Sequence, residues 1–149
     1  MLYLQFQLDQ QRYLMDTTNV ETLLPVVRIQ AVPNAPKYVL GVINFRGESV
    51  PVVDMAQLVL GRESHCRLST RIVLINFNLD GSGVRRLGLM IEKATEVIKL
   101  QEHDFKPASL ARDSASYIVS TYADPAGIAH LISSNALLSS EQRKTLFGA

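Results

Sequence analysis

The apolar residues of this chain come in short runs, each closed by turn residues, and that pattern suits small antiparallel barrels or sandwiches better than helix bundles. The clearest pair is 42–45 and 49–53, separated by Arg46-Gly47-Glu48. Gly47 can take φ > 0 without steric cost, so the pair reads as a hairpin with a three-residue connection and Arg46 at its tip. Pro51 has no N–H to donate, which predicts an edge strand or a nitrogen turned away from its partner. Asp54 is placed to cap a helix over 55–60, with Gly61 as its stop.

The same reading extends along the chain. Leu2, Leu4, Phe6 and Leu8 share one face of a first strand, which turns back through 9–12 into 13–15. Asp16 or Thr17 is expected to cap a brief helix carrying Val20, Leu23 and Leu24, with Pro25 as its end. Val27, Ile29 and Ala31 suggest another strand, Pro33 and Pro36 a loop, and 37–40 a single helical turn ending at Gly41. The mixed-charge stretch 61–70 lacks periodicity and reads as a surface connection between two halves. In 71–77, Ile72 and Leu74 lie on one face and Val73, Ile75 and Phe77 on the other, which predicts a strand buried from both sides. Strands at 87–91, 94–100, 117–122 and 128–132 complete the set. Asp124-Pro125-Ala126-Gly127 suits a type I turn, and Ser139 with Gln142 a capping box for a last helix over 139–146.

Composition narrows the function classes. The chain has 149 residues, of which 47% are hydrophobic and 19% charged, a mixture that excludes a disordered chain. A formal net charge of +1 supplies no field for a polyanion or an anionic membrane, so nucleic-acid binding is disfavoured. The single Cys66 cannot form an internal disulfide and argues against a structural zinc. With no basic leader at Met1 the cytoplasm is the expected compartment. His65, His103 and His130 fall in no ligand or nucleophile spacing, and Ser64-His65-Cys66 are loop neighbours without base–nucleophile geometry. Gly81-Ser82-Gly83 before Arg85-Arg86 reads as a hairpin turn and not a phosphate cradle. No catalytic residue, metal or cofactor is expected. Arg46 has two readings: a planar cation presented for bidentate contact with a partner's carboxylates or helix-end carbonyls, or a solvated turn charge paired with Glu48.

The stretch 32–54, VPNAPKYVLGVINFRGESVPVVD, resembles the CheW family of chemotaxis adaptors, which extends to the regulatory domain of CheA kinases and the front half of CheV. It is similar in order and spacing to that family's Pro, Gly-Val, Asn-Leu-Arg-Gly and Val-Pro-Val-Val-Asp signature. Residues 87–92 and 94–98 are similar to its second-half pattern, and 117–138 to its last hairpin and closing helix. The resemblance implies a mainly β fold of two SH3-like five-stranded barrels sharing a core, with short helices and a C-terminal helix. It places a first barrel at about 13–62 and a second at about 70–135 within one domain spanning 1–149, strand 2–8 and helix 139–146 packing on them. It implies a non-enzymatic adaptor between the cytoplasmic tip of a methyl-accepting receptor and a CheA-type kinase, recruited to membrane arrays by protein contacts. By position, Arg46, Val20, Ala94 and Val97 fall on the receptor side and Gly41 in a kinase-contact segment. Three positions depart from the family: Thr22 where Glu is frequent, Ala94 where a larger aliphatic is common, and Ser133 in place of an aspartate. They suggest a divergent adaptor for a dedicated, non-flagellar array. A small-ligand sensor or decoy without kinase contact is the alternative.

Overall fold

The computed structural model describes residues 1–79, 81, 83–107 and 117–148. Its elements run β1 (Leu2–Leu8), β2 (Gln11–Asp16), a 3-10 turn (Thr17–Asn19), β3 (Val20–Pro25), β4 (Val39–Phe45), β5 (Glu48–Asp54) and α1 (Met55–Leu60), then β6 (Arg71–Leu79), β7 (Gly83–Ile91), β8 (Lys93–Lys99), β9 (Phe105–Pro107), β10 (Ile118–Asp124), β11 (Gly127–Ile132) and α2 (Ser140–Phe147). They form a six-stranded sheet, β8-β1-β2-β11-β10-β9, and a five-stranded sheet, β3-β6-β7-β5-β4.

The sheets do not divide the chain at 61–70. β2 pairs with β11, while β6 and β7 join β3, β4 and β5, so the blocks expected at 13–62 and 70–135 interleave. The cause is two parallel pairings, β2 with β11 and β5 with β7, which join strands far apart in sequence and leave no local signature. β1 is an interior strand of the six-stranded sheet, which has one strand more than the five expected.

β6 is buried from both sides, as its pattern predicts. Val73, Ile75 and Phe77 face a shared core between the sheets with Leu4, Phe6, Met15 and Leu87. Ile72 and Leu74 face a second core with Ile43, Phe45, Val50 and Val52. Leu24 of β3 packs on that second core together with Ile29 and Leu40, so the five-stranded sheet curls its two edges toward each other.

Several local expectations are corrected. Asp16 does act as a cap, its carboxylate accepting from the Thr18 N–H, but only for the 3-10 turn, and 20–25 continues as a strand. The long β6 provides a ladder partner that outweighs the helical spacing of Val20, Leu23 and Leu24. Of the strand expected around Val27, Ile29 and Ala31 only a single bridge forms, from Gln30 to Val42. Residues 37–38 are a turn closed by the Val39 N–H to the Pro36 carbonyl, and 39–40 already belong to β4. Of the two alternatives for Pro51 the edge strand is not found but the averted nitrogen is: the strand is interior, the paired Val42 gives its N–H and carbonyl to Gln30, and the parallel ladder with β7 starts only at Val52.

The α1 caps hold as read. Asp54 accepts from the Ala56 N–H at 3.1 Å, and Gly61 closes the helix at φ 73°. Asp54 is buried and also accepts from the Ser64 N–H at 2.8 Å and from the Ser64 hydroxyl, so one carboxylate both starts α1 and pins the loop after it. Removing it in Asp54→Ala strands these donors. We expect a loss of about 2–3 kcal/mol, read as a lower urea midpoint at unchanged m-value. A midpoint within error of the parent would refute that dual role.

A second carboxylate holds the same loop on either side of Ser64. Glu92 accepts from Arg62 at 2.7 and 3.1 Å and from the His65 N–H at 2.7 Å, and Arg62 also reaches Asp9 in the β1–β2 turn. The Arg62 guanidinium, ahead of the His65 N–H, holds the Glu92 carboxyl below its ordinary value. Asp124 is lowered likewise by Arg12, which grips it at 2.7 and 3.0 Å. A depressed folded pKa contributes stability above the unfolded value, near ~4.3 for Glu, that is lost as pH falls through the folded value. Stability is therefore expected to decline from about pH 5 downward, with a shallower acid slope in Glu92→Gln. Denaturant titrations at several pH values check this, and an unchanged slope would count against the latch.

Candidate functional site

The β4–β5 hairpin presents Arg46 as expected, but through a tighter turn. Phe45 pairs with Glu48, leaving a two-residue connection in which Arg46 (φ 52°) and Gly47 (φ 85°) both lie at positive φ, the pattern of a type I′ turn. The Asn44 Oδ1 accepts from the Gly47 N–H at 2.8 Å, which gives the Asn two residues before Arg46 a structural reason. Arg46 is exposed, and its Cζ stands 4.9 Å from the centre of the Phe45 ring.

Of the two readings of Arg46, the pairing with Glu48 is not what forms. Glu48 is held by Arg86 of β7, whose Nε also donates to Glu21 of β3 at 2.8 Å. Among the described residues Arg46 has no ion pair. It borders a hollow of about 750 Å³ lined also by Leu24, Val27, Arg28, Val42 and Phe45. An unpaired cation beside a partly apolar hollow can receive a carboxylate set on an apolar helix face.

Val20 and the pair Ala94 and Val97 lie elsewhere, on edge strands of different sheets. Val20 pairs with Ile75 and so shares its core-facing side, at the start of edge strand β3. Ala94 and Val97 pair with Phe6 and Leu4, on the core-facing side of edge strand β8. Two hydrogen bonds tie the sheets near these strands: the Ala94 N–H donates to the Ser69 carbonyl just before β6, and the Thr17 hydroxyl, just before β3, donates to the Leu2 carbonyl opposite Lys99. Val97 is 50% exposed and Leu23 of β3 37%, although both lie on faces that point toward apolar neighbours. The Glu21–Arg86–Glu48 chain links the start of β3, next to Val20, to the hairpin bearing Arg46.

Gly41 is placed differently from a contact residue. It is buried, at φ 144°, and a Cβ there would lie 2.1 Å from the Gln30 carbonyl oxygen. Thr22 pairs with Leu74 on β6, and Ser133 donates its N–H to the Tyr117 carbonyl at the edge of a separate groove of about 760 Å³. Cys66 is exposed, and no group of His, Cys, Asp or Glu among the described residues is arranged to hold a metal ion. Arg86, Glu21 and Phe45 escape the sequence reading. Arg85-Arg86 follows a glycine pair and reads as turn charge, and only the bond to Glu48 shows that Arg86 faces the hairpin.

Comparison with known proteins adds the family. A family model described as a CheW-like domain matches residues 2–142. The chain is 26% identical to the chemotaxis protein CheW of Treponema pallidum, over 76% of this chain and 67% of that protein. It is 24% identical to the Bacillus subtilis protein of the same name, over 94% and 88% respectively. With the Klebsiella aerogenes CheW the match, also 24%, covers 71% of this chain and 61% of that protein. The crystal structure of the scaffolding protein TtCheW from Thermoanaerobacter tengcongensis superposes with a TM-score of 0.80 at 21% identity, covering 95% of this chain and 89% of that one, and so has the same fold.

Proposed function

Because the chain belongs to the CheW-like family, whose model spans nearly its whole length, we propose that it is a non-enzymatic adaptor coupling methyl-accepting chemoreceptors to a CheA-type histidine kinase. The observation that carries this reading is the exposed Arg46 guanidinium on its turn, without an ion pair among the described residues and bordering a partly apolar hollow of the kind a helical segment can enter. Arg46, Val20, Ala94 and Val97 are the proposed receptor side. The kinase side includes the segment around Gly41, whose surface there is supplied by Gln30 and its neighbours.

The mechanism is positional. Holding receptor tips and kinase dimers at fixed geometry lets a small receptor movement bias the kinase, and about 1–3 kcal/mol of coupling between the two sites is enough. No cofactor, metal or nucleic acid takes part. Among the described residues no helix is long and apolar enough to cross a membrane, and recruitment to receptor arrays in the cytoplasm would run through protein contacts. Reconstitution of receptor, kinase and this protein should raise autophosphorylation only when all three are present. Activation that ignores this protein would overturn the proposal.

Thr22, Ala94 and Ser133 support a finer reading, a dedicated array with a non-flagellar output. Small changes in one apolar contact are worth only about 1 kcal/mol each, enough to alter partner choice without altering the fold. Co-purification should then favour one cognate receptor over general receptors of the same cell, and indifference would count against specialisation. The second reading, a small-ligand sensor, has the groove of about 760 Å³ bordered by Tyr3, Glu102 and Phe105 in its favour. A failed kinase pull-down together with a metabolite that raises Tm would select it.

A further inference from the structure

Two guanidiniums lie against one aromatic ring at the hairpin. The Arg46 Cζ is 4.9 Å and the Arg86 Cζ 5.3 Å from the Phe45 ring centre. Glu48 stands directly across the ladder from Phe45, so both cations have this carboxylate in their neighbourhood. Yet Glu48 pairs with Arg86, which takes Glu21 as well, and Arg46 takes neither. A guanidinium offers five donors in a fixed fork, so one arginine can serve two carboxylates arriving from different strands.

The geometry points to Arg86 as a positioning residue: by occupying Glu48 it keeps that carboxylate off Arg46 and leaves the Arg46 guanidinium free for an anionic group of a partner. This rests on the reading of Arg46 as a partner contact. It deepens that reading by giving the hollow its charge. With Glu48 neutralised by Arg86, the hollow keeps Arg28 and Arg46 beside Leu24, Val27 and Phe45, and the occupant it fits is an apolar helix face flanked by carboxylates. Through Glu21 the same side chain ties β3, whose Leu24 lines the hollow, to the hairpin base.

The test reads Arg46 itself and needs no partner. Phenylglyoxal modifies guanidiniums, and labelling of the intact chain followed by digestion and mass spectrometry of the peptides gives the rate at Arg46. In Arg86→Gln, Glu48 is released to pair with Arg46. Modification is then expected to slow about two- to fivefold, the range an exposed guanidinium–carboxylate pair produces. Arg86→Gln combined with Glu48→Gln should restore the parent rate, a rescue that a merely structural role of Arg86 would not produce. Glu48→Gln alone, which leaves Arg86 in place, should change nothing at Arg46. An unchanged rate in Arg86→Gln, no rescue in the double variant, or faster modification in Glu48→Gln alone would each overturn the proposal. Co-sedimentation of the same variants with the receptor tip keeps the two readings apart. Labelling that follows the expected order with no receptor binding by the parent chain removes the receptor reading and leaves the role of Arg86 in place.

Discussion

Gly41→Ala is expected to cost at least about 3 kcal/mol and to lower Tm by roughly 10 °C, without any surface group having been removed. The Gln30 and Val42 backbones clasp each other around this residue, with N–H to carbonyl distances of 2.8 and 2.9 Å. A methyl at Gly41 would stand 2.1 Å from the Gln30 oxygen and 2.7 Å from its carbonyl carbon, at a φ of 144° that L-residues rarely adopt. Steric overlap at that distance cannot be relieved by a rotamer change, because the obstacle is backbone. The bridge must open, and the strap that carries Val27 and Arg28 must leave the wall of the hollow. Gly47→Ala is the control. Its φ of 85° is also positive, but nothing lies within 4 Å of its Cβ, so only about 1 kcal/mol of backbone preference is at stake. Urea titrations of both variants separate the cases. A Gly41→Ala protein of parental stability that fails to bind kinase would instead make Gly41 a direct contact, and equal costs at the two glycines would refute the clash.

How far the sequence carries depends on whether an interaction is local. The hairpin at Arg46, the caps at Asp54 and Ser139 and the double-faced β6 are set by neighbours in the chain, and each is present in the fold. The Ser139 box, for instance, has both its bonds, at 2.8 and 3.1 Å. What failed to be legible is non-local. Val20, Leu23 and Leu24 carry a helical spacing that loses to the ladder with β6, and the interleaving of the two sheets follows from parallel pairings that no short window records. The site divides in the same way. Arg46 is visible because Gly47 and the flanking strands mark it, whereas the clamp that frees it is built from Glu21, Glu48 and Arg86 on three strands of one sheet. Sequence spacing cannot show that a carboxylate two residues from one arginine is bonded to another.

Arg46→Glu is expected to leave the fold intact and reduce receptor-dependent kinase activation at least tenfold. The side chain is exposed, has no ion pair among the described residues and touches the core only through its guanidinium over the Phe45 ring, so its loss should change stability by no more than about 1 kcal/mol. Replacing a partner-facing cation by an anion does more than delete a contact. It sets a negative charge against the carboxylate the hollow is proposed to receive, and it adds one beside Glu48 and Arg86, where the clamp can be drawn toward it. Breaking a hydrogen-bonded charge pair at an interface costs about 2–5 kcal/mol, which exceeds the 1.4 kcal/mol that a tenfold loss requires. Arg46→Lys keeps the charge but not the planar fork, and should retain partial activation if bidentate geometry contributes. The three-component autophosphorylation assay, run beside thermal melts of each variant, separates loss of contact from loss of fold. Full activation by Arg46→Glu at parental Tm would remove this residue from the interface, and with it the reason for holding Glu48 on Arg86.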